Sequence, residues 1–256
     1  MSACTALTHA SEVIWHCSSG RNRHLRVGEE SLTDIALLIA ENLSSGEIAC
    51  HKFNRMAEHH TSGADWLWFF RQGSRRFSVL IQAKKLNMDG RPRYSELKKH
   101  TRGRTQMWRL IDYATRERHY PLYCFYNSWE HQPPWVTVGD PWQWGCAVAP
   151  ATRVRDHMKT KTGRGNRLNS VGPLSRPWTI LVCPSFPPRS GPLPDRVRAT
   201  IQAVWEIPDR ELPPVEEGDH PMMRWVAEPT AEAMGRADRP EGPTELTGIV
   251  VVTAPD

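Results

Sequence analysis

The chain has 256 residues, 39% of them hydrophobic and 24% charged, with a mean hydropathy of −0.55. That length can bury a core in one large domain or two small ones, and no apolar run approaches the roughly 20 residues of a membrane span. The first residues lack a basic stretch followed by an apolar block, so the expectation is a cytoplasmic protein without a secretory leader. Six cysteines (Cys4, Cys17, Cys50, Cys124, Cys146, Cys183) are scattered without a C-x-x-C pair, which suits reduced, buried thiols better than a zinc site.

The net charge of +5 is unevenly spread. Fourteen Lys/Arg stand against four Asp/Glu from Arg71 to Arg118, and ten against two from Ala151 to Thr200. From Ile207 to Leu246 the sign reverses, with ten acidic residues and four basic ones. A basic body suits a polyanionic partner, because each phosphate it neutralises releases counterions.

In chain order, residues 1–27 read as a partly ordered lead-in. A helix follows from about Ser31, its apolar stripe made by Leu32, Ile35, Ala36, Ile39, Ala40 and Leu43 and its end marked by Ser44-Ser45-Gly46. The acids Glu29, Glu30 and Asp34 lie at its start, where negative charge also suits the helix dipole. A strand from Glu47 to Asn54 leads to a loop with Glu58, His59 and His60. Two aromatic and branched segments, 64–71 and 76–84, read as strands. A polar basic loop over 87–103 precedes a helix from Thr105 to Arg118. Leu122–Tyr126 and Cys146–Ala149 read as strands, separated by a Pro- and Trp-rich connector. Arg153–Met158 reads as a short helix, 159–170 as a basic loop, Trp178–Cys183 as a buried strand and 194–205 as a last helix. Residues 207–246, with seven prolines, read as a disordered acidic linker, and Gly248–Thr253 as a terminal strand able to return to a sheet edge. The division is therefore a lead-in at 1–27, an α/β domain at 28–206, a linker at 207–246 and a terminal strand at 247–256.

The hairpin carries the chemistry. Gly73-Ser74 is a suitable two-residue type II′ turn, which makes Gln72 face Arg75. Counting outward, Asp65 faces Gln82, and directly opposed residues share a sheet face. Lys84, two residues beyond Gln82, falls on that face too, whereas Trp66 and Trp68 fall on the other. A register slip of one residue would separate the set.

An Asp, then a strand with an acid or amide, one residue and a Lys, with a Glu on a preceding helix, resembles the PD-(D/E)XK nuclease superfamily. The matching positions are Glu30, Asp65, Gln82 and Lys84. The run GEESLTD, HKFNRMAEHHTSGADWLWFF, QAKKL and PLYCFYN also resembles an uncharacterised bacterial family of that fold, over roughly residues 28–127. The sequence departs from the common pattern in placing Gly-Ala rather than Pro before Asp65, and Gln82 where an acid is usual.

The resemblance implies a restriction-endonuclease-like α/β sandwich with a mixed central sheet flanked by helices. It implies a metal-dependent endonuclease in bacterial defence or restriction, acting on DNA ahead of RNA. Mg²⁺ or Mn²⁺ would take oxygen from Asp65, Gln82, Glu30 and Glu58. Lys84 would activate water and offset charge at the phosphorus. Lys85, Arg91, Arg93, Lys98, Lys99, Arg102 and Arg104 would meet the nucleic acid. A homodimer, or a partner protein of a defence system, would complete the assembly. Two alternatives stand beside this reading: a nucleic-acid-binding module that has lost cleavage, and an interaction subunit of a defence complex.

Other motifs are weaker. Ser95-x-x-Lys98 lacks the partner motifs of penicillin-binding enzymes. Gly163-Arg-Gly165 is too short for a dinucleotide loop. His51, His59 and His60 lack a second ligand cluster for zinc. Trp129, Trp135, Trp142 and Trp144 fall in loops where bases could stack, although anchoring the loops is the plainer role.

Overall fold

The computed structural model describes residues 1–19, 27–53, 62–88, 91–94, 97, 100–101, 104–136, 139–160, 164–183, 190–227 and 246–254. The helices are α1 (Ala3–Ser18), α2 (Glu29–Leu43), α3 (Gln106–Arg116), α4 (Ala151–Thr160), α5 (Leu168–Val171), α6 (Leu193–Trp205) and α7 (Arg224–Ala227). The strands are β1 (Ile48–Lys52), β2 (Trp66–Gln72), β3 (Arg75–Lys85), β4 (His100–Thr101), β5 (Arg104–Thr105), β6 (Tyr120–Tyr126), β7 (Cys146–Pro150), β8 (Arg176–Pro177), β9 (Glu216–Glu217) and β10 (Gly248–Thr253).

One mixed, open sheet runs in the order β1-β10-β2-β3-β6-β7-β8, with β9 added beside β3. The β2–β3 pairing is antiparallel with Trp66 opposite Ile81 and Gln72 opposite Arg75, the register expected from the turn. Alternation then divides β2 and β3 between two cores. Trp66, Trp68, Val79 and Ile81 pack under α1, α2 and α6. Leu67, Phe69 and Leu80 pack under α3 and α4. Helices thus cover both faces of the sheet, the α/β arrangement expected from the order of elements.

Four expectations are corrected. The lead-in is largely helix: α1 is capped by Ser2 and buries Ala6, Leu7, Ala10 and Ile14 completely. Those residues follow helical spacing, but three of the four buried positions nearest its start are alanines and make a faint stripe. Residues 178–181 form a 3₁₀ turn rather than a strand, because the pairing with β7 ends at Pro177. The segment 207–227 is packed on the body, with Ile207, Leu212 and Met223 buried and β9 paired to β3. Residues 228–245 lie outside the described residues. Finally, β10 sits inside the sheet, antiparallel to β1 and parallel to β2. A Cβ on Gly248 would stand 2.4 Å from the Trp66 ring and 2.5 Å from the His51 carbonyl oxygen, so the strand enters that slot only with glycine at its head.

The cysteines also depart from expectation. Cys4 and Cys183 are joined in a disulfide that ties α1 to the end of the 178–181 turn. Their separation of 179 residues leaves no local trace of the pairing. Cys17, Cys50, Cys124 and Cys146 are free thiols. Among the described residues, no helix is long and apolar enough to cross a membrane.

Candidate functional site

Asp65 is held at the mouth of β2 by its own backbone. Its N–H donates to the Ile81 carbonyl at 2.9 Å, and its carbonyl accepts from the Thr247 N–H at 2.7 Å. The side-chain Oδ2 then accepts the Ala83 N–H at 2.8 Å, which directs the carboxylate along β3. Gly63 makes this approach feasible. It has φ +69°, and a Cβ there would lie 2.5 Å from the Gln106 carbonyl oxygen at the start of α3. A side chain would clash with the helix in a backbone conformation that L-residues seldom adopt.

Gln82 and Lys84 follow on the same face, both almost wholly buried, at 0% and 2% exposure. Among the described residues, neither the oxygen nor the nitrogen of the Gln82 carboxamide has a hydrogen-bond partner. A buried amide left unpaired costs roughly 1–3 kcal/mol per group, so such a side chain calls for a functional reason. Lys84 Nζ is 3.1 Å from Glu29 Oε1, and Glu29 Oε2 accepts the Lys85 N–H at 2.9 Å. Burial raises the Glu29 pKa above its ordinary value; Lys84 opposes that shift and the nearby Asp65 carboxylate adds to it. The pKa of Tyr123, across from Gln82 on β6, is raised first by burial and then by the Asp65 and Glu29 charges.

The structure brings together Asp65, Gln82 and Lys84 as the hairpin count required. The acid that α2 supplies to Lys84 is Glu29, and Glu30 is exposed on the same turn. Successive helical residues point about 100° apart, so an acid-rich helix start does not reveal which acid faces inward. Glu58, Lys98, Lys99 and Arg102 lie outside the described residues, and of Arg104 only the backbone in β5 is described. Lys85 Nζ donates to the Val27 carbonyl at 2.6 Å.

Arg91 and Arg93 are exposed just beyond β3 and acquire partners that the sequence did not group with them. The Leu168 N–H donates to the Pro92 carbonyl and the Tyr94 N–H to the Asn166 carbonyl, which docks the 164–168 segment alongside. Arg164 and Arg167 therefore join Arg91 and Arg93. The Arg167 pKa is lowered by desolvation and by the charges of those three arginines. This four-arginine cluster stands at the same end of the sheet as Lys84.

Among the described residues no three His, Cys, Asp or Glu side chains gather as a metal cluster. The donor set is two carboxylates, Asp65 and Glu29, with the unpaired amide of Gln82. An all-oxygen set of this kind suits a hard divalent cation that keeps several waters.

A family model covers residues 3–245, and the chain belongs to that family, a family of unknown function designated DUF6615. No curated protein matches the chain.

Proposed function

We propose that this protein is a metal-dependent nuclease of restriction-endonuclease-like fold, hydrolysing phosphodiester bonds of DNA ahead of RNA in a bacterial defence or restriction setting. The observation that carries the reading is the buried, unpartnered Gln82 carboxamide on the face shared by Asp65 and Lys84. An amide oxygen in that position is explained if a cation completes it. Asp65, Gln82 and Glu29 would hold Mg²⁺ or Mn²⁺, with Glu58 as a further acid. When bound, the ion polarises a phosphoryl oxygen and lowers the pKa of its water.

The chain's own groups do the rest. Lys84 presents an ammonium in a nearly dry site, where it offsets charge developing on the phosphorus far better than it would in water. Glu29 orients that ammonium through the 3.1 Å contact. The arginine cluster supplies phosphate contacts that position a strand without reading its sequence.

A second reading, a binding module that no longer cuts, is favoured by one feature: Gln82 carries no charge where an acid would strengthen cation binding. The experiment that tests the first reading compares wild type with Asp65→Asn and Lys84→Met on plasmid and single-stranded DNA, in Mg²⁺, Mn²⁺ or EDTA. Metal-dependent cutting lost in both variants supports the nuclease. Binding without cutting in every condition replaces it with the module.

A further inference from the structure

A second recessed feature opens at the same end of the sheet. The parallel strands β3 and β6 finish side by side, with Lys85 opposite Tyr126. Past Tyr126 the chain runs through Asn127 and Ser128 to Trp129. At no more than about 3.5 Å per residue along the chain and about 4.8 Å between strands, the Trp129 Cα lies within roughly 15 Å of that of Lys85. Asn127 fixes the exit: its Oδ1 accepts from the Tyr94 hydroxyl at 2.5 Å, and its Nδ2 donates to the Trp144 carbonyl at 3.0 Å.

Beyond it, four indoles stand edge to face in a row. Trp15 and Trp129 have centroids 4.6 Å apart, Trp129 and Trp135 5.6 Å, and Trp135 and Trp144 5.2 Å. The row is anchored from α1, where the Ser11 hydroxyl donates to the Gln143 carbonyl at 2.8 Å and accepts the Cys146 N–H at 2.9 Å. One end of the row stays open as a cavity of about 390 Å³, walled by Trp15, Trp129 and Trp142, with His16, Glu130 and Gln132 at its rim. The three indoles are half-buried, so flat apolar surface remains available on a rigid frame.

Two side-chain acceptors stand at the mouth, beside the His16 ring. Gln132 uses one Nε2 hydrogen to donate to the Val136 carbonyl at 2.6 Å, which leaves Oε1 as an acceptor, beside the second Nε2 hydrogen, for a ligand. Glu130 is exposed and has no hydrogen bond or ion pair among the described residues. Two acceptors beside aromatic walls suit a planar ring that bears an amino group.

We propose that this cavity binds one unstacked nucleobase carrying an exocyclic amine, in a single strand lying across the arginine cluster and the Asp65–Lys84 site. The proposal rests on the nucleic-acid reading above and names the substrate form: single-stranded or locally opened, with cytosine, adenine or guanine preferred to thymine. Stacking on the indoles holds the base whatever its identity. The amine donates to Glu130, as cytosine N4 does to an acidic side chain; thymine bears no exocyclic amine and offers only its ring N3–H.

The test uses the full chain in EDTA, so that binding is read without cutting. Fluorescence anisotropy is recorded with labelled oligo(dC), oligo(dA) and oligo(dT) of equal length and with a duplex. Trp129→Ala should weaken oligo(dC) binding by about 5- to 150-fold, the range expected for losing one base–aromatic stack, and leave the duplex unaffected. Because Trp129 also packs against its neighbours, Glu130→Gln at an exposed position gives the independent reading. It should abolish the preference for oligo(dC) over oligo(dT) while leaving oligo(dT) affinity unchanged. Equal affinity of wild type for oligo(dC) and oligo(dT) overturns the proposal. So does tryptophan quenching by tetramethylammonium that depends on Glu130, which would make the cavity a cation cage. A parallel digest of the same oligonucleotides in Mg²⁺ or Mn²⁺ in which wild type never cuts, with the base preference in EDTA intact, would sink the nuclease reading alone.

Discussion

The Glu29–Lys84 pair offers the sharpest energetic test, because the ammonium it neutralises is almost fully buried. The side chain of Lys84 is 3% exposed and that of Glu29 27%, with 3.1 Å between the charged atoms. At that separation and an effective dielectric of about 20, the attraction is about 5 kcal/mol. Desolvating the two ions costs several kcal/mol each, so the intact pair contributes little net stability. Removing one member is different, since it strands the other. Glu29→Gln leaves a buried ammonium without its nearest counter-charge and should cost about 3 kcal/mol, the low end for a broken buried pair because Glu29 is partly exposed. The double variant Glu29→Gln/Lys84→Met replaces both charges and should return to within about 1 kcal/mol of wild type. Urea unfolding at neutral pH, with an unchanged m-value, reads both differences. A loss below about 0.5 kcal/mol in Glu29→Gln, in the range of an ordinary surface substitution, would refute the claim that the pair is coupled in a dry site.

Three further outcomes are expected. Gln82→Leu removes an unpartnered buried amide and should stabilise the metal-free protein by about 1–3 kcal/mol while weakening any stabilisation by Mn²⁺; thermal melts with and without the ion check both, and no gain in EDTA would mean the amide is satisfied after all. His119, whose Nδ1 meets the Ser78 hydroxyl at 2.8 Å, is held to a pKa of about 4 by burial, with the charges of His220 and Arg76 adding and Glu117 opposing. Since the unfolded group titrates near 6.5, the unfolded chain binds more protons between those values. Stability from this residue is therefore complete above about pH 6.5 and is lost toward pH 4, by about 3 kcal/mol in all; His119→Gln should flatten that part of the pH–stability curve, and an unchanged curve would contradict the assignment. Deleting residues 247–256 removes β10 from between β1 and β2 and strips the Asp65 carbonyl of the Thr247 and Gly248 N–H groups. The shortened chain should show no cooperative unfolding transition, and a two-state melt near the wild-type midpoint would count against a structural role for β10.

The hairpin was legible because every cue in it agrees. Two alternating apolar runs flank Gly73-Ser74, and a two-residue turn permits one register, so Asp65, Gln82 and Lys84 could be placed on one face by counting. Its neighbours were harder to read for physical reasons. The core stripe of α1 is built largely of alanine, which loops also contain. β10 is short and follows an acidic, proline-rich stretch, and nothing local tells an edge strand from one inserted between two others. Prolines and acids over 207–227 suggest disorder, yet Ile207, Leu212 and Met223 are spaced widely enough to be pinned one by one. Glu29 was hidden by an adjacent acid one residue away. The pairing of Arg91 and Arg93 with Arg164 and Arg167 depends on backbone hydrogen bonds between segments about 70 residues apart, for which pattern reading has no signal. The Trp cavity was half visible: a tryptophan-rich connector was evident, but its Trp15 wall comes from α1.

The most direct measurement is metal-dependent cleavage of plasmid and single-stranded DNA by wild type, Glu29→Gln and Glu30→Gln, each first shown to be folded. The account predicts cutting by wild type in Mg²⁺ or Mn²⁺ and none in EDTA, with activity lost in Glu29→Gln and kept in Glu30→Gln. Wild type that never cuts, or activity lost through Glu30 and not Glu29, would contradict it.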